Sequence, residues 1–150
     1  MIKVLFVCLG NICRSPMAEF LLKDMVKKKE LYNEFLIESA GTSNEEVGNP
    51  VHYGTKNKLA EIGISVDGKV ARQLVKEDYD KYDYILAMEE RNVRDIKRIV
   101  GNDDEKKVYR LLDFSNSPRD IADPWYTGNF DITYDDIIEG LQGFLRYMNL

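Results

Sequence analysis

The chain has few of the residues that build disulfide, metal or membrane-spanning structures. It contains two cysteines, Cys8 and Cys13, and one histidine, His52. Two cysteines are too few for a disulfide framework or a cysteine-rich zinc site, and His52 has no cysteine or other histidine close to it in sequence. The first apolar segment is only about six residues long, too short for a signal peptide or a bilayer-spanning helix. We therefore expect a cytoplasmic protein with no metal, no cofactor and no membrane partner.

Basic residues are outnumbered by acidic ones. The 150 residues include 21 Lys and Arg against 26 Asp and Glu, a formal net charge of −5. Because a nucleic-acid-binding protein is expected to present a basic face, we expect no nucleic-acid partner. The one basic run, Lys27 to Lys29, is expected on a solvated helix face. The length and the ordinary hydrophobic content of 44% predict a single domain over residues 1–150.

Apolar runs and helical patterns alternate along the chain, which predicts strands with helices between them. The predicted strands are 2–7, 35–39, 82–88 and 108–112, the predicted helices are 16–29, 50–62, 89–100 and 132–147, and irregular chain is predicted at 64–76 and 113–130. This order predicts an α/β fold, with a parallel sheet, helices on both faces and right-handed crossovers. Ligands bind such sheets at the carboxyl ends of the strands.

A loop with the chemistry of a phosphate site follows the first predicted strand. Its sequence is Cys8-Leu9-Gly10-Asn11-Ile12-Cys13-Arg14-Ser15, and Pro16 then begins the first predicted helix. Backbone N–H groups in a tight turn at a helix N-terminus bind phosphate oxygens, and the planar fork of Arg14 matches two of them. The same surroundings favour the thiolate form of a cysteine, so Cys8 is a candidate nucleophile that would form a phosphocysteine. The Ser15 hydroxyl is placed to donate a hydrogen bond to its sulfur.

Other interpretations of this loop are weaker. Taken singly, Cys8 could be a buried thiol at a strand end, Arg14 a surface charge and Ser15 a helix cap. A nucleotide-binding loop of the Walker type would end in Gly-Lys-Ser or Gly-Lys-Thr, which this loop does not. The order of these residues between a strand and a helix therefore favours a nucleophile loop.

Hydrolysis of a phosphate ester also needs a proton donor for the leaving oxygen. The best candidate is Asp123, which begins the segment Asp123-Pro124-Trp125-Tyr126 in the long predicted loop. The alternative is an ordinary turn in which Asp-Pro starts the bend and Trp125 fills the core. The residues alone leave these two interpretations open.

The two segments together resemble the low-molecular-weight protein-tyrosine-phosphatase family over essentially the whole chain. The resemblance implies a phosphatase I-like fold, with a four-stranded parallel sheet of order 2-1-3-4. It implies metal-independent hydrolysis of phosphotyrosine in proteins or peptides, and of small aryl phosphates, through a phosphocysteine intermediate, with inorganic phosphate as product.

The resemblance also implies roles for single residues. Cys8 would be the nucleophile, Arg14 the phosphate-binding cation and Asp123 the general acid and then the general base. Phosphate binding would use Leu9, Gly10, Asn11, Ile12, Cys13, Arg14 and Ser15, and the substrate cleft would use Ile12, Glu45, Trp125 and Tyr126. Cys13 matches a position that forms a reversible disulfide with the nucleophile under oxidation.

The chain departs from the family pattern in the cleft. Relatives often carry a tryptophan in the loop after the second strand, where this chain has Glu45. A histidine often found upstream of an Ala-Arg pair is absent, and the chain has Lys69-Val70-Ala71-Arg72 in its place. The first change predicts a shallower and more polar cleft, unless another ring such as Tyr53 fills the missing wall.

Two other activities on this scaffold and one non-catalytic role remain as alternatives. Protein-arginine phosphatases resemble this chain but tend to carry threonine where Ile12 stands, and an isoleucine packs better on an aromatic ring. A thiol-dependent arsenate reductase needs further cysteines after the loop, and none follows Cys13. A non-catalytic phosphate-binding module would not need both Cys8 and Asp123.

Overall fold

The computed structural model describes all residues from Met1 to Leu150. Its centre is a four-stranded sheet in which all neighbouring strands are parallel, and the strand order is β2-β1-β3-β4. The strands are β1 (Ile2–Cys8), β2 (Phe35–Gly41), β3 (Tyr84–Ala87) and β4 (Val108–Arg110). The predicted α/β fold and its strand order are confirmed.

Six helices and two 3₁₀-helices lie between the strands or follow the last one. The helices are α1 (Arg14–Lys28), α2 (Tyr53–Ala60), α3 (Asp78–Lys81), α4 (Glu90–Val100), α5 (Pro124–Thr127) and α6 (Phe130–Tyr147). The 3₁₀-helices are Tyr32–Glu34 and Leu111–Phe114. No helix combines the length and the apolar character that crossing a bilayer requires.

The central strand β1 separates two apolar cores, one on each face of the sheet. Successive side chains of a strand point to opposite faces. Val4 and Phe6 therefore pack with α1 and α6 on one face, whereas Leu5 and Val7 pack with α4 on the other. All four side chains are fully buried, which explains why β1 reads as an unbroken apolar run.

Several predicted boundaries are wrong by a few residues. Helix α2 begins at Tyr53 instead of residue 50, because Pro50 forms a bridge with Val70 and the His52 side chain caps the helix by accepting a hydrogen bond from the Gly54 N–H. Strand β2 extends to Gly41, which pairs with Cys8.

The remaining differences lie near chain reversals. Strand β4 ends at Arg110 because the chain turns into a 3₁₀-helix at Leu111. The short helices α3 and α5 were not expected, and α1 begins at Arg14, two residues before the predicted start at Pro16. One- and two-turn elements lack the apolar period that identifies longer helices in a sequence.

Gly143 provides a test of how α6 docks on the rest of the fold. A Cβ atom at this position would lie 2.2 Å from the carbonyl oxygen of Phe114. We expect Gly143→Ala to lower the free energy of unfolding by about 1–3 kcal/mol through this overlap, although alanine itself favours a helix. Urea denaturation measures the change, and Gln142→Ala, at an exposed position of the same helix, is the matched control. Equal midpoints for the two variants would contradict this packing.

Candidate active site

The predicted nucleophile loop lies at the carboxyl edge of the sheet, between the end of β1 and the start of α1. The adjacent end of β2 holds it in place. The N–H of Thr42 donates to the carbonyl of Cys8 over 3.0 Å, and the N–H of Ser43 donates to the carbonyl of Leu9 over 2.9 Å. Gly41 permits this close approach, because a Cβ there would lie 2.8 Å from the Leu9 carbonyl oxygen.

Asn11 fixes the conformation of the loop. Its backbone is left-handed, with φ 59°, which asparagine tolerates better than most residues. Its buried side-chain amide donates to the hydroxyls of Ser15, at 2.8 Å, and Ser39, at 2.9 Å, and its Oδ1 accepts from the N–H of Arg72. One side chain therefore joins the loop to α1, to β2 and to the segment before α3.

A buried charged cluster lies beneath Asn11. The Ser39 hydroxyl donates to Glu19 over 2.5 Å, and Glu19 is only 4% exposed. Its carboxylate forms ion pairs with Lys23 at 2.6 Å and Lys69 at 3.1 Å. Lys69, which lies just before the Ala71-Arg72 pair, thus neutralises a carboxylate that supports the loop. The sequence interpretation did not identify Ser39 or Glu19.

The Cys8 sulfur faces two hydrogen-bonding groups. It lies 3.0 Å from the Ser15 hydroxyl and 3.3 Å from the N–H of Asn11, which donates to it. Both cysteines of the chain are free and buried. Burial raises the pKa of Cys13 to about 12, so Cys13 is a thiol at neutral pH. A disulfide between the two stays a prediction.

Arg14 is the largest fully buried side chain of the protein, and three groups hold its guanidinium. Nη1 donates to the carbonyl of Ile121 over 2.9 Å and lies 3.4 Å from a carboxylate oxygen of Glu89. Nη2 lies 3.4 Å from a carboxylate oxygen of Asp123. The sequence interpretation missed Glu89, although an acidic residue just after a predicted strand is at the edge where ligands bind such sheets.

Asp123 caps α5. Its Oδ1 accepts a hydrogen bond from the N–H of Trp125 over 3.0 Å, while its other oxygen faces Arg14. The alternative in which Trp125 fills the core is wrong, because this side chain is 58% exposed. The Asp-Pro turn therefore directs the Asp123 carboxylate and the Trp125 indole to the surface around the loop.

These residues surround one small cavity of about 160 Å³. The cavity is lined by Cys8, Leu9, Gly10, Ile12, Cys13, Arg14, Ser43, Glu45, Glu46, Asp123, Trp125 and Tyr126. All the predicted site residues line it except Asn11 and Ser15, which support the loop from below. Tyr53 does not line it, so this ring does not replace the missing wall. The part of the lining formed by Ser43, Glu45 and Glu46 is polar, with two carboxylates.

Comparisons with known proteins give one consistent result. A family model described as "Low molecular weight phosphotyrosine protein phosphatase" matches residues 3–149. Low molecular weight protein-tyrosine-phosphatase YfkJ of Bacillus subtilis is 46% identical over 133 residues, which are 87% of this chain and 85% of YfkJ. The protein of the same description from Staphylococcus aureus, PtpA, is 38% identical over 149 residues, covering 99% of this chain and 94% of PtpA.

Solved structures agree with the sequence matches. The crystal structure of YfkJ from Bacillus subtilis superposes with a TM-score of 0.95 at 42% identity, covering 99% of this chain and 95% of that one. A drosophila arginine phosphatase superposes with a TM-score of 0.91 at 29% identity, covering 99% of each chain. The fold, the family model and the closely similar relatives together show that this chain belongs to the low molecular weight phosphotyrosine protein phosphatase family.

Proposed function

We propose that the protein hydrolyses phosphotyrosine in proteins and peptides, and small aryl phosphates, through a phosphocysteine formed on Cys8. The observation that carries the proposal is one cavity that joins a cysteine sulfur, a buried arginine and a carboxylate. These groups provide a nucleophile, an anion-binding cation and a proton donor, so the proposal needs no metal or cofactor. The single domain and the cytoplasmic location expected from the sequence stay predictions.

Substrate phosphate would bind to the backbone of the loop and to Arg14. The N–H groups of Leu9, Gly10, Ile12 and Cys13 donate to no other group of the protein. The N-terminus of α1 adds a favourable potential for an anion. A bound phosphate would compete with Asp123 for the Arg14 guanidinium, while Glu89 and the Ile121 carbonyl keep that side chain oriented.

In the first step the Cys8 thiolate would attack phosphorus. A sulfur–phosphorus bond forms as the bond to the leaving oxygen breaks, and Asp123 gives its proton to that oxygen. Cys13 is unsuited to this role because it is protonated at neutral pH. Arg14 stabilises the charge on the equatorial oxygens in the transition state.

In the second step a water molecule would attack the phosphocysteine. The Asp123 carboxylate takes a proton from the water, the sulfur–phosphorus bond breaks, and inorganic phosphate leaves. The Ser15 hydroxyl, 3.0 Å from the sulfur, would stabilise the departing thiolate by donating a hydrogen bond to it.

Phosphoarginine is the second candidate substrate. It is favoured by the carboxylates of Glu45 and Glu46 at the cavity mouth, which would attract a guanidinium, and a drosophila arginine phosphatase shares the fold. Phosphotyrosine is the better fit because Ile12, Trp125 and Tyr126 offer apolar surface to a ring.

The nucleophile is tested by Cys8→Ser. We expect turnover of an aryl phosphate to fall below about one-thousandth of the wild-type rate, because a serine hydroxyl is far less nucleophilic than a thiolate. Phosphate should still bind in isothermal titration, because backbone N–H groups and Arg14 make most of the site. Cys13→Ser is the matched control and should lose far less activity. Near-wild-type hydrolysis by Cys8→Ser would remove Cys8 from the mechanism.

The proton donor is tested by Asp123→Asn across a series of aryl phosphates. For leaving groups of high pKa we expect kcat to fall by about 10²–10⁴-fold, because the departing oxygen then needs a proton. For strongly acidic phenols the loss should be small. A uniform loss across the series would instead assign Asp123 a structural role as the cap of α5.

The cleft wall is tested by Glu45→Trp, with phosphotyrosine and phosphoarginine peptides compared side by side. We expect the wild type to turn over phosphotyrosine faster. The variant should lower KM for phosphotyrosine several-fold, because stacking a ring on a second aromatic face contributes about 0.5–1.5 kcal/mol. Its kcat should change little, because phosphate chemistry lies deeper in the cavity. An unchanged KM with the fold intact would show that this wall does not contact the substrate ring.

A further inference from the structure

A second cavity of about 400 Å³ lies beside the first, and Trp125 lines both. Its lining residues are His52, Tyr53, Gly54, Pro124, Trp125, Gly128 and Phe130. None of them is Asp, Glu, Lys or Arg. We propose that this cavity is a specificity subsite for an apolar side chain, aromatic side chains above all, one or two residues from the phosphotyrosine of the substrate. The inference rests on the proposed function and names which peptides the same active site prefers.

The cavity presents aromatic surface to solvent. The His52 ring stacks between Tyr53, at a centroid distance of 4.4 Å, and Phe130, at 5.4 Å, and meets the edge of Trp125 at 5.5 Å. Tyr53 is nevertheless 72% exposed and Trp125 58% exposed. Contiguous exposed apolar surface on a soluble protein marks interaction sites more often than single exposed residues do.

This aromatic cluster is fixed relative to the phosphate loop. The N–H of His52 donates to the carbonyl of Ile12 over 2.9 Å, and the Thr55 hydroxyl donates to the carbonyl of Cys13 over 3.0 Å. Trp125 belongs to α5, and the N-cap of this helix, Asp123, lines the first cavity. The second cavity therefore lies between two elements that are both attached to the first.

The floor of the cavity is built by a close helix contact. A Cβ on Gly54 would lie 2.3 Å from the Phe130 ring, so only glycine lets this ring lie against the first turn of α2. An ion pair of 2.7 Å between Lys58 and Asp131 also joins α2 to α6. The rings are thus positioned before any ligand binds, which lowers the entropy cost of binding.

The reach of a bound peptide and the chemistry of the lining indicate which side chain would fill the second cavity. A phosphotyrosine ring in the first cavity would lie against Trp125, which also lines the second cavity, so nearby residues of the peptide would lie close to the second cavity. Two extended residues span at most about 7 Å, so only side chains one or two positions away are within reach. A carboxylate buried there would find no cationic partner among the lining residues, whereas an aromatic side chain would stack on the exposed ring of Tyr53.

The test compares phosphotyrosine peptides that differ at one position. Each peptide carries either Phe or Ala at one of the two positions before or the two positions after phosphotyrosine, in a constant background. At one of these positions at least, we expect wild-type kcat/KM to be about threefold to tenfold higher for Phe than for Ala. Tyr53→Ala should bring this ratio close to one. Tyr32→Ala, a change at a tyrosine that is 58% exposed before β2, is the matched control and should keep the preference.

Each outcome decides the proposal. A ratio close to one at every position, with the peptides still hydrolysed, overturns the subsite and leaves the proposed function intact. A preference that survives Tyr53→Ala also overturns it. A wild-type dimer in sedimentation that Tyr53→Ala dissociates, without any preference for Phe, would assign this surface to a second copy of the chain and overturn the subsite. If neither the phosphotyrosine peptides nor small aryl phosphates are hydrolysed, both the proposed function and the subsite are rejected.

Discussion

The site depends on one buried positive charge. Arg14 is 1% exposed, and an unpaired guanidinium at such a position would cost several kcal/mol. Its partners are the Ile121 carbonyl, Glu89 after β3, and Asp123 before α5. Because three separate segments share one cation, their positions are correlated, and the proposed nucleophile loop and proton donor meet at a fixed distance. In a chain of net charge −5, this local cation and the loop N–H groups must supply the attraction for an anion.

A second buried polar cluster supports the loop from below. Asn11 holds a left-handed turn that only a few residue types tolerate, and its amide is held in turn by Ser15 and Ser39. Glu19 accepts from Ser39 and is neutralised by two lysines. A buried polar network that leaves hydrogen-bonding groups unpaired is destabilising, whereas one in which every group is hydrogen-bonded is rigid. The loop is therefore arranged for a phosphate before any ligand is bound.

The sequence predicts the sheet and the loop well because both leave local signals. The strand β1 is an unbroken apolar run, and Cys8 to Ser15 are consecutive, so their chemistry can be read without any tertiary information. Residues that act through space leave no such signal. Ser39 and Glu19 are ordinary polar residues in the sequence, and only packing brings them to the loop, whereas Glu89 is marked only by its position directly after a predicted strand. The aromatic cavity combines α2 with α5 and the start of α6, which lie far from α2 in the sequence, so its rings could not be grouped from spacing alone.

The step on which the proposed mechanism depends is the formation of a covalent bond between phosphorus and the sulfur of Cys8. Rapid quenching in a denaturant at alkaline pH during turnover of an aryl phosphate, followed by mass spectrometry of the digested protein, tests this most directly. We expect a peptide containing Cys8 that is heavier by one phosphoryl group. With the phosphate of a strongly acidic phenol, more of it should accumulate in Asp123→Asn, because the first step then needs no acid and the second step lacks its general base. A phosphoryl group found on another residue, or none in a protein that turns over substrate, would contradict this mechanism.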